Sequence, residues 1–216
     1  LPHLHGGGVA NKGTFGLQNV TLSANEAHVG GGGIHNALGT VTLRSVTFAA
    51  NDTDPEAEGG GAILTAAGAT TRLGHTIVAA GEQAPACKGA TTSDGRNIGS
   101  DASCALTAAG DQPSTQPLLA ALALNGGSSE THALLDSSPA IDAGAAAGCN
   151  GLSGTPLTID QRGLPRPADG NRDGVARCDI GAYERAPGGG PGDPTPTPGT
   201  GTPGTGGPKI YLPVLK

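Results

Sequence analysis

The 216-residue chain has no Met, no Trp, two Tyr and two Phe. Its core must therefore be built from Val, Ile, Leu and Ala, whose small side chains suit a narrow interior. Sugar sites built on aromatic platforms have little to use here, so glycan binding is poorly supported. Positive charge is also scarce: 12 Lys and Arg stand against 18 Asp and Glu, for a formal net charge of −6. Without a Lys/Arg cluster there is no electrostatic footprint for nucleic acid. No apolar run is long enough to span a membrane as a helix, which argues against an integral membrane protein. No segment sustains a 3.6-residue apolar period, so helical and leucine-rich repeats fit poorly. An initiator Met is missing and the opening LPHLH does not resemble a signal peptide, so a processed or trimmed product is expected.

What is present is glycine, 39 residues of it, and repetition. GGGVANKGTFGLQNVTLSAN (6–25) is followed by GGGIHNALGTVTLRSVTFAAN (31–51) and by a degraded copy, GGGAILTAAGATTRLGHTIVAAG (59–81). Gly8 to Gly33 is a step of 25 and Asn25 to Asn51 one of 26. A period in this range marks a solenoid. Within the second copy Val41 and Leu43 alternate with Thr42, and Val46 and Phe48 alternate with Thr47. That is the period of short strands. The phase slips by one at Arg44-Ser45, which reads as a corner. The fold class expected is all-β: a parallel β-helix whose coils stack at ~4.8 Å. Stacking sets Val20 under Val46, Leu22 under Phe48, Val9 under Ile34 and Asn11 under Asn36. Asn25 and Asn51 form a corner ladder, because Asn tolerates the left-handed conformation and its amide bonds along the column. The triple glycines mark a corner that no Cβ could enter.

Four segments follow along the chain. Residues 1–81 are regular coils, 82–186 irregular C-terminal coils, 187–208 a Pro/Gly/Thr-rich linker and 209–216 a strand-like plug. About six or seven coils at ~4.8 Å would give a body ~30 Å long. The short N-terminal stretch leaves little room for a cap over exposed strand edges. Cys87, Cys104, Cys149 and Cys178 allow three connectivities. Local pairing, Cys87 with Cys104 and Cys149 with Cys178, is expected because each pair brackets an irregular Gly-rich stretch. Disulfides imply an oxidising, extracytoplasmic compartment, and the CxxC spacing of a zinc site is absent.

The densest motifs are THALL (131–135), SPAIDAG (138–144), DQRGLPRP (160–167), DGNRDG (169–174) and CDIGAYE (178–184). Their order and wording resemble the C-terminal region of bacterial secreted proteins of the choice-of-anchor Q family, and the GGG coils are similar to the repeats of polymorphic outer-membrane proteins. The resemblance implies a right-handed β-helix, secretion and surface attachment. It implies no chemistry, because that family is defined by sequence and by varied anchors.

One candidate metal site stands out. Asp169, Asn171 and Asp173 occupy positions 1, 3 and 5 of a calcium loop, with Gly174 at 6. Ile180 at position 12 excludes a full EF-hand, so Asp179 or another residue would have to complete the shell. Calcium is the one cofactor the sequence suggests. Asp142 and Asp160 could serve as catalytic carboxylates only with a partner and a cleft. Their better reading is as acceptors for backbone amides at coil corners. Asp52, Asp54, Glu56 and Glu58 read as a solvated acidic corner. The histidines, His3, His5, His28, His35, His75 and His132, are scattered and offer no ligand set. No catalytic residue is assigned.

Function is expected in the tail. A 22-residue linker (187–208) in extended form reaches ~70 Å. Ile210, Tyr211, Leu212, Val214 and Leu215 form an apolar strand able to add to an exposed sheet edge. The expectation is a structural extracellular protein, a filament or surface-layer subunit joined to copies of itself head to tail. Two alternatives stand beside it. One is an adhesin or stalk module, with a surface glycan or anchor as partner and the tail as sorting signal. The other, less favoured, is a polysaccharide-active β-helix enzyme.

Overall fold

The computed structural model describes residues 6–56 and 59–189, and the backbone of 209–211. Among the described residues there is no helix; parallel sheets stack as a β-solenoid of about three turns. Leu212, Val214, Leu215, Glu58, His3 and His5 lie outside the described residues.

The first coil contains β1 (Val9–Asn11), β2 (Thr14–Ser23) and β3 (Glu26–Ala27). The second contains β4 (Ile34–Asn36) and the long β5 (Thr40–Thr53), and the third β6 (Ile63–Thr65), β7 (Thr70–Gly74) and β8 (Ile77–Ala80). A shrinking fourth turn has β9 (Cys87–Lys88), β10 (Thr91–Ser93) and β11 (Ile98–Gly99). One sheet runs β1-β4-β6-β9, with Val9 beside Ile34 and Asn11 beside Asn36. In the larger sheet β2 pairs with β5 so that Val20 meets Val46 and Leu22 meets Phe48.

The phase slip has a backbone cause. Asn19, Ser45, His75 and Arg96 all have φ between 50 and 56°. Each is a left-handed residue that turns the chain through a corner, and the ladder skips from Gln18↔Arg44 to Val20↔Val46 around it. Inward-facing residues therefore change parity there. Ala24 and Ala50 form a second left-handed column (φ 52 and 51°) just before the Asn ladder. Asn25 Nδ2 donates to Asn51 Oδ1 at 2.7 Å, and Asn51 Nδ2 donates to the Leu22 carbonyl at 2.8 Å. At the glycine corner a Cβ on Gly8 would lie 2.6 Å from the Gly33 carbonyl, and one on Gly33 would lie 2.6 Å from that of Ala62.

Alanine resists the left-handed region by about 1 kcal/mol where glycine does not. Ala50 is exposed, so Ala50→Gly loses no packing. It should raise the urea midpoint by an amount corresponding to about 0.5–1 kcal/mol.

There are two apolar cores. The first fills the solenoid: Leu22, Ile34, Val41, Leu43, Val46, Phe48, Ile63, Leu73 and Val78 are all fully buried. The second lies on the outer face of the large sheet. There Ile77 and Ile98, in register, pack with Ala133, Leu134, Ala140, Ile180 and Tyr183.

This second core corrects the expectation that all of 82–186 forms coils, and with it the count of six or seven. Stacking ends near β11 and the Ile98–Gln112 bridge. The chain then forms an antiparallel hairpin, β12 (Leu119–Leu124) with β13 (Glu130–Leu134). From there it returns along the outer face toward the first coil. Thr47 Oγ1 accepts the Ala182 amide at 3.0 Å, and Thr21 Oγ1 donates to Gln161 at 2.7 Å. The physical reason is that Ile77 and Ile98 make this sheet apolar on both faces, and a two-faced sheet needs cover.

Candidate functional site: the first-coil edge and the arginine clasp beside it

A solenoid coil at the end of a stack presents unpaired strand N–H and C=O groups. Among the described residues the first coil is such an end, and three residues of its β2 edge are paired. β14 (Lys209–Tyr211) pairs antiparallel with β2, Lys209 opposite Ser23, Ile210 opposite Leu22 and Tyr211 opposite Thr21. Ile210 and Tyr211 of the expected assembly segment are thus placed on the first coil of their own chain.

Beside this edge the C-terminal motifs are fastened to the solenoid by buried charge. Arg166, from DQRGLPRP, has a fully buried side chain. Its Nε donates to Glu184 at 3.0 Å and its Nη1 to Asn19 Oδ1 at 3.1 Å. Its Nη2 donates to the carbonyls of Asp179 (3.0 Å) and Gly181 (3.2 Å). One guanidinium thereby joins the corner residue of coil one to CDIGAYE. Arg162 donates to Asp160 through Nε (2.8 Å) and to the Asn125 carbonyl through Nη1 (2.9 Å), with its Cζ 3.7 Å above the Tyr183 ring. Asp160 also accepts the amides of Arg162, Leu164 and Glu184. Charges this deep persist only when paired and hydrogen-bonded. Burial, with the neighbouring Glu184 carboxylate, holds the Asp179 carboxyl well above its ordinary range. Burial also raises Glu184, against the opposing pull of Arg166.

Neutral groups extend the seam. Nδ1 of His132 sits 2.8 Å from the Ala120 carbonyl, which can only accept, so Nδ1 carries the proton. Nε2 therefore accepts the Ser23 hydroxyl at 2.9 Å, tying β13 to β2. Burial lowers the His132 pKa, in keeping with a neutral ring.

The disulfides join Cys87 to Cys104 and Cys149 to Cys178. The first closes the shrinking fourth turn, and the second lies inside the returning segment. Bonds of this kind persist in an oxidising compartment. The sulfurs of Cys149 and Cys178 lie within 4.8 Å of a His75 ring nitrogen, but as a disulfide they offer no thiolate.

His75 stands on the left-handed corner column of the third coil. Its carbonyl accepts the Gly181 amide at 2.9 Å, and its Nε2 accepts the Ala145 amide at 3.3 Å. Burial, then the charges of Arg166, Arg96 and Arg44, lowers its pKa to about 4. A folded-state value below the unfolded one means that its stabilising contribution is complete above about pH 6.5. The contribution is lost as pH falls through about 4. The shift corresponds to at most about 3 kcal/mol before solvent screening. Urea unfolding at pH 7 and pH 4 should show this loss in the native chain, and His75→Gln should lack that part of it.

The other sequence candidates settle into structural roles. Asp142 accepts the amides of Gly170 (3.3 Å) and Asn171 (2.7 Å). In DGNRDG, Asp169 accepts the amides of Asp173 and Gly174, Asn171 accepts that of Asp173, and Asp173 accepts that of Val175. The loop is closed by its own backbone. Ile180, at the position where a calcium loop carries its bidentate Glu, is fully buried in the second core. Asp52 accepts the amides of Glu82 and Gln83, and Asp54 pairs with His28. Sequence reasoning missed Arg162, Arg166, Glu184, Gln161 and His132. A usable signal existed: two arginines four apart in a motif otherwise poor in cations, followed by CDIGAYE with two acids. No family model, curated protein or solved structure matches the chain.

Proposed function

We propose that the chain is an extracellular structural subunit that joins copies of itself head to tail, its C-terminal strand adding to the first-coil edge of a neighbour. The observation that carries this reading is the pairing of Lys209–Tyr211 with Thr21–Ser23. An edge that accepts this strand from its own chain offers the same hydrogen bonds to the identical strand of another copy. The sequence between, a linker of 22 residues (187–208), spans up to ~70 Å when extended, enough to reach past the body it belongs to. Exchange of an identical element is a low-cost route to assembly, and a head-to-tail contact that does not close produces fibres.

Whether the strand closes on its own chain or on a neighbour is a matter of concentration. A tethered strand competes at an effective concentration that is in the millimolar range for a short flexible linker. Dense secretion at a surface shifts the balance toward neighbours. The two disulfides support secretion. The resemblance of the C-terminal motifs to those of the choice-of-anchor Q family supports attachment at a bacterial surface and a right-handed coil.

The test is sedimentation of the full chain over a rising concentration series, with and without excess free peptide KIYLPVLK. Species that grow with concentration and shrink when the peptide is added support strand exchange. A monomer at every concentration, or assemblies indifferent to the peptide, would refute it. Loss of the tail from the secreted chain would assign the segment to sorting or anchoring instead.

A further inference from the structure

β14 is directed at a groove. Beyond Thr21, where the pairing with Tyr211 ends, the edge of β2 continues back through Val20, Asn19 and Gln18. Asn19 is the left-handed corner residue at which the β2–β5 ladder itself has a gap. Proline has no N–H to give a ladder, so Pro213 limits how far backbone pairing can extend beyond Tyr211. Gln18 and Asn19 form one rim of a groove of about 800 Å³. Its other walls are the turn at 126–128 and the segment 156–163. Pro156, Leu157 and Ile159 give it an apolar wall, and Ile159 is 51 % exposed.

We propose that this groove receives the last residues of the C-terminal segment, Leu212 to Lys216. Its occupant is the same chain's own segment, continuing from the β14 that pairs with β2. The inference rests on the reading that β14 occupies the first-coil edge, and it adds where specificity arises. Backbone pairing alone accepts almost any extended segment, whereas pockets for side chains select one. Leu212, Val214 and Leu215 supply aliphatic side chains, and a cavity of this size falls in the range that encloses a small ligand. The groove is built half from the first coil and half from the returning segment. The arginine clasp that joins those halves, through Arg166 to Asn19 and Arg162 to Asn125, therefore sets the groove's width.

The test places a photo-reactive benzophenone side chain at Val214 of the full chain, and separately at Ile210, and maps the cross-links by mass spectrometry after digestion. The expected result is a Val214 cross-link to the 156–163 or 126–128 segments, abolished by Ile159→Asp, and an Ile210 cross-link to the first coil. A product of monomeric mass supports occupancy by the chain's own segment, and a product of dimeric mass alone overturns it in favour of a neighbour's. An Ile210 cross-link to the first coil with a Val214 probe that reacts elsewhere, or not at all, overturns the groove while leaving strand docking intact. An Ile210 probe that does not reach the first coil, with a Val214 probe that reaches neither segment, overturns both readings.

Discussion

Arg166→Met should destabilise the chain by about 3–5 kcal/mol, because removing one partner leaves buried charge uncompensated. Glu184, with 2 % of its surface exposed, would lose its cation while still beside Asp179. Asn19, Asp179 and Gly181 would each lose a donor. The loss should be local before it is global. Amides such as Ile180 and Gly181, which bond Ala140 and the His75 carbonyl, should exchange with solvent faster, while those of β5 in the solenoid interior stay protected. Pairing Arg166→Met with Glu184→Gln should recover much of the loss, since the neutral amide no longer needs a counter-charge. Denaturant midpoints for the two single variants and the double variant check this. An Arg166→Met chain as stable as the native one would mean that the clasp does not hold the returning segment.

Phe48→Ala should cost about 3–5 kcal/mol, the range for emptying a buried aromatic site. Phe48 is fully buried and sits in register between Leu22 and Val78. Its ring also meets the glycine corner: a Cβ on Gly33 would lie 2.8 Å from the ring Cδ1. Backbone already crowds this corner, where a Cβ on Gly33 would also lie 2.6 Å from the Ala62 carbonyl, which limits how far it can close over the void. In a stacked array each coil is held by its neighbours, so a void in the middle coil weakens its hold on both the first and the third. Phe48→Leu, which refills most of the space, should lose clearly less. Thermal unfolding of both variants reads the difference.

The solenoid was legible because its signals are local and repeated. Alternating Val, Thr and Leu fixed the strands, the slip at Arg44-Ser45 marked the corner at which Ser45 has φ 50°, and the Asn columns announced themselves by spacing. The path of residues 117–186 was not legible, for two reasons. Nothing in the sequence around Thr21 and Thr47 marks their outward face as covered, yet they bond Gln161 and the Ala182 amide. Ile77 and Ile98, in the outward phase, were a hint of a covered face that a two-state alternation rule absorbs into the solenoid core. The clasp was hidden by expectation as well. Arg and Asp in a Gly/Pro-rich motif suggest an exposed turn, and only the return of the chain over the coil buries them. Of the tail, the strand character of Ile210 and Tyr211 was readable, but its partner strand was not, because an edge accepts by backbone and leaves no matching sequence.

The most direct test of assembly through the tail is electron microscopy of the full chain beside a version lacking Lys209 to Lys216, each across the same concentration series. Filaments from the full chain, lengthening with concentration, and only monomers from the shortened one are the predicted result. Filaments from both would move the joint to the coil faces, and monomers from both at the highest concentration reached would contradict a polymer linked by its C-terminal strand.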